Sequence, residues 1–508
     1  MKFTWYGKEN AIIESMTPSI GALRPDKESS KNWDNTENLY IEGDNLEVLK
    51  LLQKSYFGKV KMIYIDPPYN TGKDFVYKDN FKDNIANYKE ITNQSTKANP
   101  ETNGRYHTDW LNMMYPRLKL ARNLLTEDGS ILVSIDYNEL ANMKKIMDEV
   151  FGEENFQREI TWRMGWISGY KTAAPNFIRN HDTILFYSKD CTKHSFEKKY
   201  IWNKDFKPLI KKEPSISSKM DSLGLDRKQQ DELFEFINHE NRPEKYPIED
   251  TWNCNEYDDL NSIAIVSFSG EKISKILDIN QDFKGQKSIK MLQRLIISLT
   301  KDNDTILDFF SGTSSTAHAV IQQNVEDLGE RNFIMVQLPE ITDQDSEAYN
   351  KGYKNICEIG KERIRRSGDK IVSENKNKEG IENLDIGFKV FKLEYNCGGE
   401  NYSMMEEGIK VDIIKRPKDK PICKFKIYGE LYYLVKTNED IIVFSYKSSI
   451  KGKVIASIFN IKLCKNKDYM QLEYLYNMKL NEFNGEDFIH SQYVTSVILD
   501  NVYKNLNE

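Results

Sequence analysis

A short stretch with unusual chemistry follows a strongly apolar run near the start of the chain. Asp66-Pro67-Pro68-Tyr69 comes directly after residues 60–65, which are mostly apolar and β-branched and so predict a buried parallel strand. Each proline fixes its own φ angle, lacks a backbone donor and keeps the preceding residue extended. The pattern therefore predicts a stiff turn at the carboxyl end of a strand, where open α/β sheets bind their ligands.

This turn suits a planar heterocycle that carries an exocyclic amino group. The Asp66 carboxylate and the carbonyls of Asp66 and Pro67 accept hydrogen bonds, and Tyr69 offers a flat ring for stacking. The amino lone pair of adenine or cytosine is delocalised into its ring, and acceptors outside the base plane would free it for attack. Such catalysis works by positioning and electrostatic preorganisation. The simpler interpretation is a proline turn in which Asp66 caps a helix and Tyr69 only packs.

A second candidate site lies far along the chain. Residues 305–316 combine an apolar run with Gly312 and several serines and threonines, and a helix is predicted to start near Ala317. A strand, a turn of small residues and a helix form the arrangement in which backbone closely approaches a nucleotide-like ligand. The run lacks the lysine of a phosphate-binding P-loop, which argues against an NTPase.

Alternating strand and helix patterns surround both stretches. Helices are predicted at 46–52, 110–125, 139–150, 286–299 and 355–366, and further strands at 39–41, 130–136, 159–162, 182–187 and 333–337. A turn is predicted at Asp128-Gly129, and Arg363, Arg365 and Arg366 are expected to face DNA or water. The alternation predicts a doubly wound, mostly parallel α/β sheet that admits an antiparallel pair at its end.

The composition narrows the classes of protein. A length of 508 residues predicts several domains, and a net charge of −6 requires any DNA contact to come from local basic patches. The six cysteines show no zinc-like spacing, which predicts reduced thiols and no metal site. Neither an export signal nor a membrane span is visible in the sequence.

Two longer runs, residues 38–50 and 61–77, extend the first motif. With the order of the motifs, they resemble the modification (Mod) subunit of type III restriction-modification systems, within the β-class amino-group DNA methyltransferases. The likeness covers about residues 30–190 and 285–395. Because the catalytic turn precedes the glycine-rich strand, the resemblance implies a circularly permuted, Rossmann-like methyltransferase sheet with an inserted target-recognition domain and a small C-terminal domain.

The resemblance implies transfer of a methyl group from S-adenosylmethionine to the exocyclic N6 of adenine in duplex DNA, with the base flipped out of the helix. The implied catalytic residues are Asp66, Pro67, Pro68 and Tyr69. The implied cofactor contacts are Asp44, Asp308, Phe310, Gly312, Ser314, Gln337 and Glu340. Asp44 also fits a helix N-cap, and Gln337 and Glu340 stand as alternatives for binding the ribose hydroxyls.

One position departs from the family pattern F-x-G-x-G, because Ser314 stands where the second glycine is expected. If that position needs a positive φ angle, a serine costs about 1 kcal/mol there. Its Cβ would then be expected to crowd the cofactor.

The sequence divides into five expected segments. They are an N-terminal arm at 1–37, the catalytic half of the methyltransferase domain at 38–188, a target-recognition insertion at 189–284, the cofactor half at 285–372 and a C-terminal domain at 373–508 with an assembly role. The insertion interleaves lysines with Phe196, Tyr200 and Trp202, which fits DNA contact. The implied partners are double-stranded DNA, a second copy of the chain and a separate restriction subunit with helicase and nuclease activity, all in the cytoplasm.

Two competing hypotheses stay open at this point. The same turn geometry serves methylation of the cytosine N4 amine. A DNA-binding specificity subunit with weak or lost catalysis is the other alternative, and the serine at position 314 gives it weight.

Overall fold

The computed structural model describes residues 3–19, 21–71, 106–163, 175–252, 255–258, 272–280 and 286–395, and the backbone of six strands between residues 423 and 479. Residues 72–77 of the second family run and 259–271 of the predicted insertion lie outside the described residues. The chain forms two compact units, the first comprising Met1–Ser15 and Leu23–Leu393, the second Met16–Ala22 and Glu394–Glu508.

The helices of the first unit follow the chain in this order. They are α1 (Lys8–Met16), α2 (Asn45–Tyr56), α3 (Tyr106–Leu124), α4 (Leu140–Phe151), α5 (Pro214–Ser222), α6 (Arg227–Glu235), α7 (Ile273–Ile276), α8 (Ile289–Leu299), α9 (Ser315–Asp327), α10 (Glu347–Asn350) and α11 (Ile356–Glu374).

The strands up to residue 395 alternate with these helices. They are β1 (Gly21–Pro25), β2 (Leu39–Glu42), β3 (Val60–Ile65), β4 (Leu125–Ile135), β5 (Phe156–Arg163), β6 (His181–Ser188), β7 (Tyr200–Trp202), β8 (Lys245–Pro247), β9 (Thr251–Trp252), β10 (Thr305–Asp308), β11 (Asn332–Gln337) and β12 (Lys389–Tyr395).

Within the described residues, ten of these strands form one sheet in the order β1-β12-β2-β11-β10-β3-β4-β6-β5-β9. From β12 to β4, each strand runs parallel to its neighbours. β6 runs antiparallel to both β4 and β5. The prediction of a mostly parallel, Rossmann-like sheet with an antiparallel pair at one end is therefore confirmed.

The sheet is covered by helices on both faces, which explains why its central strands are mostly apolar rather than alternating apolar and polar residues. Met62 and Tyr64 of β3 face one layer, where α8, α9 and α11 pack in one continuous apolar cluster. Ile63 and Ile65 alternate to the other face and are fully buried as well. On that side α2 packs with α3, and α3 with α4.

The first unit extends further along the chain than the sequence indicates. Lys389 of β12 pairs with Leu39 of β2, so this strand belongs to the large sheet and the unit continues to Leu393, beyond the predicted boundary at residue 372. The described strands of the second unit form a separate antiparallel sheet. They are β13 (Cys423–Ile427), β14 (Glu430–Lys436), β15 (Ile441–Lys447), β16 (Ile455–Leu463), β17 (Met470–Tyr474) and β18 (Met478–Lys479).

Three local predictions are wrong. The expected turn at Asp128-Gly129 lies inside β4, where the pairing with β3 skips from Leu125 to Ser130. Helix α8 starts at Ile289 rather than residue 286, because the Ser288 hydroxyl caps it by accepting from the Met291 amide. Arg363 faces neither DNA nor water, since its side chain is fully buried in the first unit.

In the part of the chain that the structure describes, no helix has the length and apolarity that a membrane crossing requires.

Candidate active site

The two motifs leave the sheet side by side. β3 and β10 are parallel neighbours, with Leu307 opposite Ile63, so the turns that follow them start at the same edge. A cavity of about 470 Å³ lies at this edge, within the rough range of 300–1,000 Å³ for small-molecule sites. Its lining residues are Tyr64, Asp66, Pro67, Pro68, Tyr69, Lys287, Asp308, Phe310, Ser311, Gly312, Thr313, Ser315, Thr316, Gln337, Glu340 and Ile356.

The proline turn (residues 66–70) is anchored at its far end by buried polar groups. The indole Nε1 of Trp110 in α3 donates to the carbonyl of Pro68 at 2.7 Å. Asn70 adopts the left-handed conformation with φ of 58°, and its side-chain amide donates to Glu139 and to the carbonyl of Tyr106. Two rigid prolines and these anchors leave the turn with little conformational freedom.

At the near end of the turn, three polar groups converge on one carboxylate oxygen. The Tyr69 hydroxyl donates to Asp66 Oδ1 at 2.8 Å. Lys287 Nζ lies 3.0 Å from the same oxygen and donates to the Tyr69 hydroxyl at 2.7 Å. The lysine also lies over the Tyr69 ring, 5.0 Å from its centroid. Asp66 therefore accepts a hydrogen bond within the protein and is half of an ion pair, and its role as acceptor for a substrate amine stays a prediction.

The charge of Asp66 reflects a balance between burial and this ion pair. Burial raises the pKa of Asp66, and Asp182 at the start of β6 adds to the rise, while the charge of Lys287 and the hydrogen bonds from Tyr69 and Lys287 lower it. Burial close to Asp66 also holds the pKa of the Tyr69 hydroxyl well above its usual value, so Tyr69 stays a donor.

The glycine turn (residues 309–314) is held by hydrogen bonds to side chains. Asp308 Oδ1 accepts from the Phe310 amide at 3.0 Å, and Oδ2 accepts from the Thr316 hydroxyl at 2.6 Å. The Gly312 amide donates to Gln337 Oε1 at 2.7 Å. Burial raises the pKa of Asp308 to about 7, and the charge of Asp66 adds to the rise. The shape of this turn therefore depends in part on one group, Asp308, that titrates near neutrality.

Ser314 adopts a positive φ angle of 62°. This is the condition under which a serine was expected to strain the backbone. The expectation that its side chain crowds the cofactor is wrong, because Ser314 is fully buried and does not line the cavity. Its Oγ lies on the α11 side, where a Cβ added to Gly360 would be 2.7 Å from it. The absence of a side chain at Gly360 thus makes room for the serine, which costs backbone strain but no cavity volume.

The two candidates for binding the ribose hydroxyls have different surroundings. The side-chain oxygen of Gln337 is already occupied by the Gly312 amide, as described above. Glu340 lines the cavity, and its carboxylate has no hydrogen-bond donor among the described residues. Burial raises the pKa of Glu340 to about 7, as expected for a carboxylate held without a partner. Glu340 is therefore the better placed acceptor.

Asp44 is the one predicted site residue besides Ser314 that does not line the cavity. Its carboxylate caps α2 by accepting from the amides of Leu46 and Glu47 at 2.9 and 3.2 Å, which confirms the predicted N-cap. Arg117 Nη2 approaches the other carboxylate oxygen at 3.4 Å. The role of Asp44 in cofactor binding stays a prediction.

Comparison with known proteins identifies the family. The sequence profile described as DNA methylase matches residues 60–382, a span that contains both turns and the cavity. The chain belongs to the DNA methylase family. It is 31% identical over 463 residues to the EcoPI Mod subunit of a type III restriction-modification enzyme from Escherichia phage P1, covering 76% of this chain and 70% of that protein.

Two further relatives complete the comparison of this methylase. The EcoP15I Mod subunit of a type III restriction-modification enzyme from Escherichia coli is 29% identical over 479 residues, covering 77% of this chain and 70% of that protein. The solved structure of PvuII DNA methyltransferase (cytosine-N4-specific) aligns with 14% identity and a TM-score of 0.36, over 66% of this chain and 93% of that one.

Sequence reasoning missed three residues that shape the site of this methylase. Trp110 holds the proline turn and Lys287 holds Asp66, as described above. Arg363 of α11 supports the glycine turn, because its guanidinium donates to the hydroxyls of Thr313 and Ser315 at 3.1 and 2.9 Å. Lys287 lies inside the helix predicted at 286–299, and nothing in that pattern indicated a contact with Asp66. Nothing local pointed to the other two.

Proposed function

We propose that this methylase is the modification and specificity subunit of a type III-like restriction-modification system, and that it methylates N6 of adenine in duplex DNA. The observation that carries the proposal is the convergence of the proline turn and the glycine turn on one cavity, from parts of the chain that lie far apart in sequence. The similarity to Mod subunits of type III enzymes supports the choice of system.

The cavity fits S-adenosylmethionine as the methyl donor. Glu340 offers an acceptor without a partner among the described residues, which matches the two hydroxyls of a ribose. Phe310 and Gly312 bring an apolar ring and bare backbone to the same wall. The carboxyl groups of Asp308 and Glu340, whose pKa values are about 7, line the same cavity, and their ionised forms suit a sulfonium ion. When bound, the cofactor supplies an activated methyl group, whose bond to sulfur breaks as the amine attacks.

The residues of the proline turn orient the amine. Trp110 occupies the Pro68 carbonyl, whereas the Pro67 carbonyl has no donor among the described residues and can accept from the substrate. Asp66 supplies the second acceptor, outside the plane of a base that stacks on Tyr69. Two acceptors in this arrangement draw the nitrogen toward tetrahedral geometry and expose its lone pair.

The target nitrogen is inaccessible in a stacked duplex, so the base must be extruded at a cost of a few kcal/mol. Stacking on Tyr69 returns roughly 1–3 kcal/mol of that cost. We place the DNA contacts that define the recognition sequence in residues 189–284, and we assign cleavage to a separate restriction subunit. A second copy of the chain and a cytoplasmic location complete the proposal.

Digestion of product DNA to nucleosides tests the reaction directly. Purified protein is incubated with duplex DNA and isotopically labelled S-adenosylmethionine, and the label is expected in N6-methyladenine. A matched reaction with Asp66→Ala is expected to give background label. Label recovered in N4-methylcytosine would replace the adenine assignment with the cytosine alternative.

The alternative of a specificity subunit without catalysis loses its main support from the position of Ser314. That side chain lies away from the cavity, so the departure from the family pattern does not block the donor site. Failure to bind S-adenosylmethionine at millimolar concentration would restore this alternative.

A further inference from the structure

Lys287 is a cation that the proposed reaction does not require, placed inside the site. Its side chain is only 16% exposed, and that of Asp66 is 17% exposed. The lysine contacts two of the residues that would orient the amine, Asp66 and Tyr69, and lies over the tyrosine ring. Long flexible lysines are seldom held this way without a partner that needs them.

The backbone before α8 places this side chain. Ser288 caps the helix and is buried, and Ile289 belongs to the apolar cluster that packs against β3. Lys287 is the residue just before this cap, so its backbone is fixed relative to the strand that ends at Asp66. Lys290, one turn along the same helix, is exposed instead.

The two oxygens of Asp66 have different surroundings. Oδ1 takes both Lys287 and the Tyr69 hydroxyl. No donor among the described residues contacts Oδ2. With one oxygen held at two points, the carboxylate cannot rotate freely, and Oδ2 is left to accept from the substrate.

The charged neighbours of Asp66 come from several elements. Asp182 of β6 and Asp308 of β10 are carboxylates that disfavour its ionised form, and Tyr69 is a neutral donor to it. Within the described site, Lys287 is the cation that offsets them. If Asp66 became protonated, it would offer a donor to an amine that needs an acceptor.

We propose that Lys287 is a positioning residue for methyl transfer: it orients Asp66 through Oδ1 and maintains it as a carboxylate, so that Oδ2 receives the amine. This inference rests on the proposed function. In the chemical step itself the charge of Lys287 is unfavourable, because the attacking amine develops positive charge and a nearby ammonium opposes that development. The benefit of the lysine must therefore lie in preparing Asp66 before the chemical step.

Lys287→Met tests whether the lysine acts by preparing Asp66, because methionine keeps the length of the side chain and removes the charge. At about pH 8.5, the end of the range that most favours ionisation of Asp66, we expect kcat for methylation to stay within about threefold of the parent. At about pH 6 we expect a loss of roughly tenfold or more. Lys287→Arg is expected to restore part of the activity at low pH, and Lys290→Met is the matched control. An equal loss at both pH values would mean a purely structural role and would overturn the inference.

A second measurement does not depend on activity. Removing Lys287 raises the pKa of a buried carboxylate further, and such a group loses stability as pH rises through its folded-state pKa. We therefore expect the unfolding free energy of Lys287→Met to fall more steeply than that of the parent as pH increases. Adding Asp66→Asn to both proteins should remove this difference. If the parent methylates DNA and the unfolding free energies of the parent and Lys287→Met depend on pH in the same way, the inference fails while the proposed function stands. If the parent does not methylate DNA, the proposed function fails, and the titration still decides whether Lys287 controls Asp66.

Discussion

The two turns that meet at the cavity are stabilised in different ways. The proline turn is stiff because of covalent restriction, and it is anchored by Trp110 and by Asn70, whose amide donates to the buried Glu139 carboxylate. The glycine turn is flexible by composition and is held by hydrogen bonds to Asp308 and Gln337. The backbone of the first turn is therefore fixed mainly by its prolines, whereas the second turn depends on Asp308, a buried carboxyl group with a pKa of about 7. The comparison indicates that covalent restriction holds the backbone of one turn and that hydrogen bonds, one of them to a titratable group, hold the other.

The largest effect is expected from Asp66→Ala. This change removes the acceptor but leaves the prolines, the cavity and Glu340 in place, so methylation should fall by about a thousandfold or more. Cofactor affinity, measured by calorimetry, and the unfolding midpoint should stay near the parental values. A variant that methylates at the parental rate would separate the proline turn from catalysis.

Next in size are the substitutions of Tyr69. Tyr69→Ala removes the stacking surface and should lower kcat/KM by about 10- to 100-fold, corresponding to roughly 1–3 kcal/mol of stacking. Tyr69→Phe keeps the ring and loses only the hydroxyl that bridges Asp66 and Lys287, so much of the activity should remain. Steady-state kinetics on one duplex substrate gives both values. Near-equal rates for the two variants would remove stacking from the account.

A pH effect should separate cofactor binding from substrate orientation. The Glu340 carboxylate can accept from two ribose hydroxyls only when ionised, and its pKa is about 7. As pH falls from about 8 to about 6, the Kd for S-adenosylmethionine should therefore rise by up to roughly tenfold. Glu340→Gln should bind more weakly at pH 8 and show a flatter pH dependence. A parental Kd that does not change over this range would show that Glu340 does not contact the ribose.

The smallest effect is expected from Ser314→Gly. Glycine tolerates the left-handed backbone at this position, and this relief of strain should raise the unfolding free energy by about 0.5–1 kcal/mol. The entropy that a glycine loses on folding reduces this gain. The affinity for S-adenosylmethionine should stay within about twofold, because the serine side chain lies on the α11 side of the turn. Thermal unfolding and calorimetry check these values. A large gain in affinity would mean that the serine does limit the donor site.

The sequence predicted most of the sheet because its signals are local. The apolar run before Asp66, the prolines and the small residues around Gly312 each specify their own conformation, and their placement at one edge follows from parallel strands. The helix cap at Asp44 was predictable for the same reason. The prediction of a turn at Asp128-Gly129 failed because the ladder between β3 and β4 continues across an irregularity there. The sequence alone indicates a break between two elements at that point.

The residues that were missed act over long distances in the chain. Lys287, Trp110 and Arg363 are a lysine, a tryptophan and an arginine in otherwise ordinary helical or pre-helical sequence. Only the packing of α3, α8 and α11 against the sheet determines which polar atoms they reach. The choice between Gln337 and Glu340 belongs to the same category, because it depends on which side chain the Gly312 amide already occupies.

The pairing of β3 with β10 also constrains how the protein is made. The ribosome synthesises β3 before the predicted insertion at 189–284, and β10, which pairs with β3, only after it. During that interval, one edge of an apolar strand has no native neighbour, a state in which growing chains are prone to associate wrongly. Synthesis rate and chaperone supply should therefore influence the yield of native protein. Because of the same delay, a growing chain that has not reached residue 309 contains the proline turn without the glycine turn.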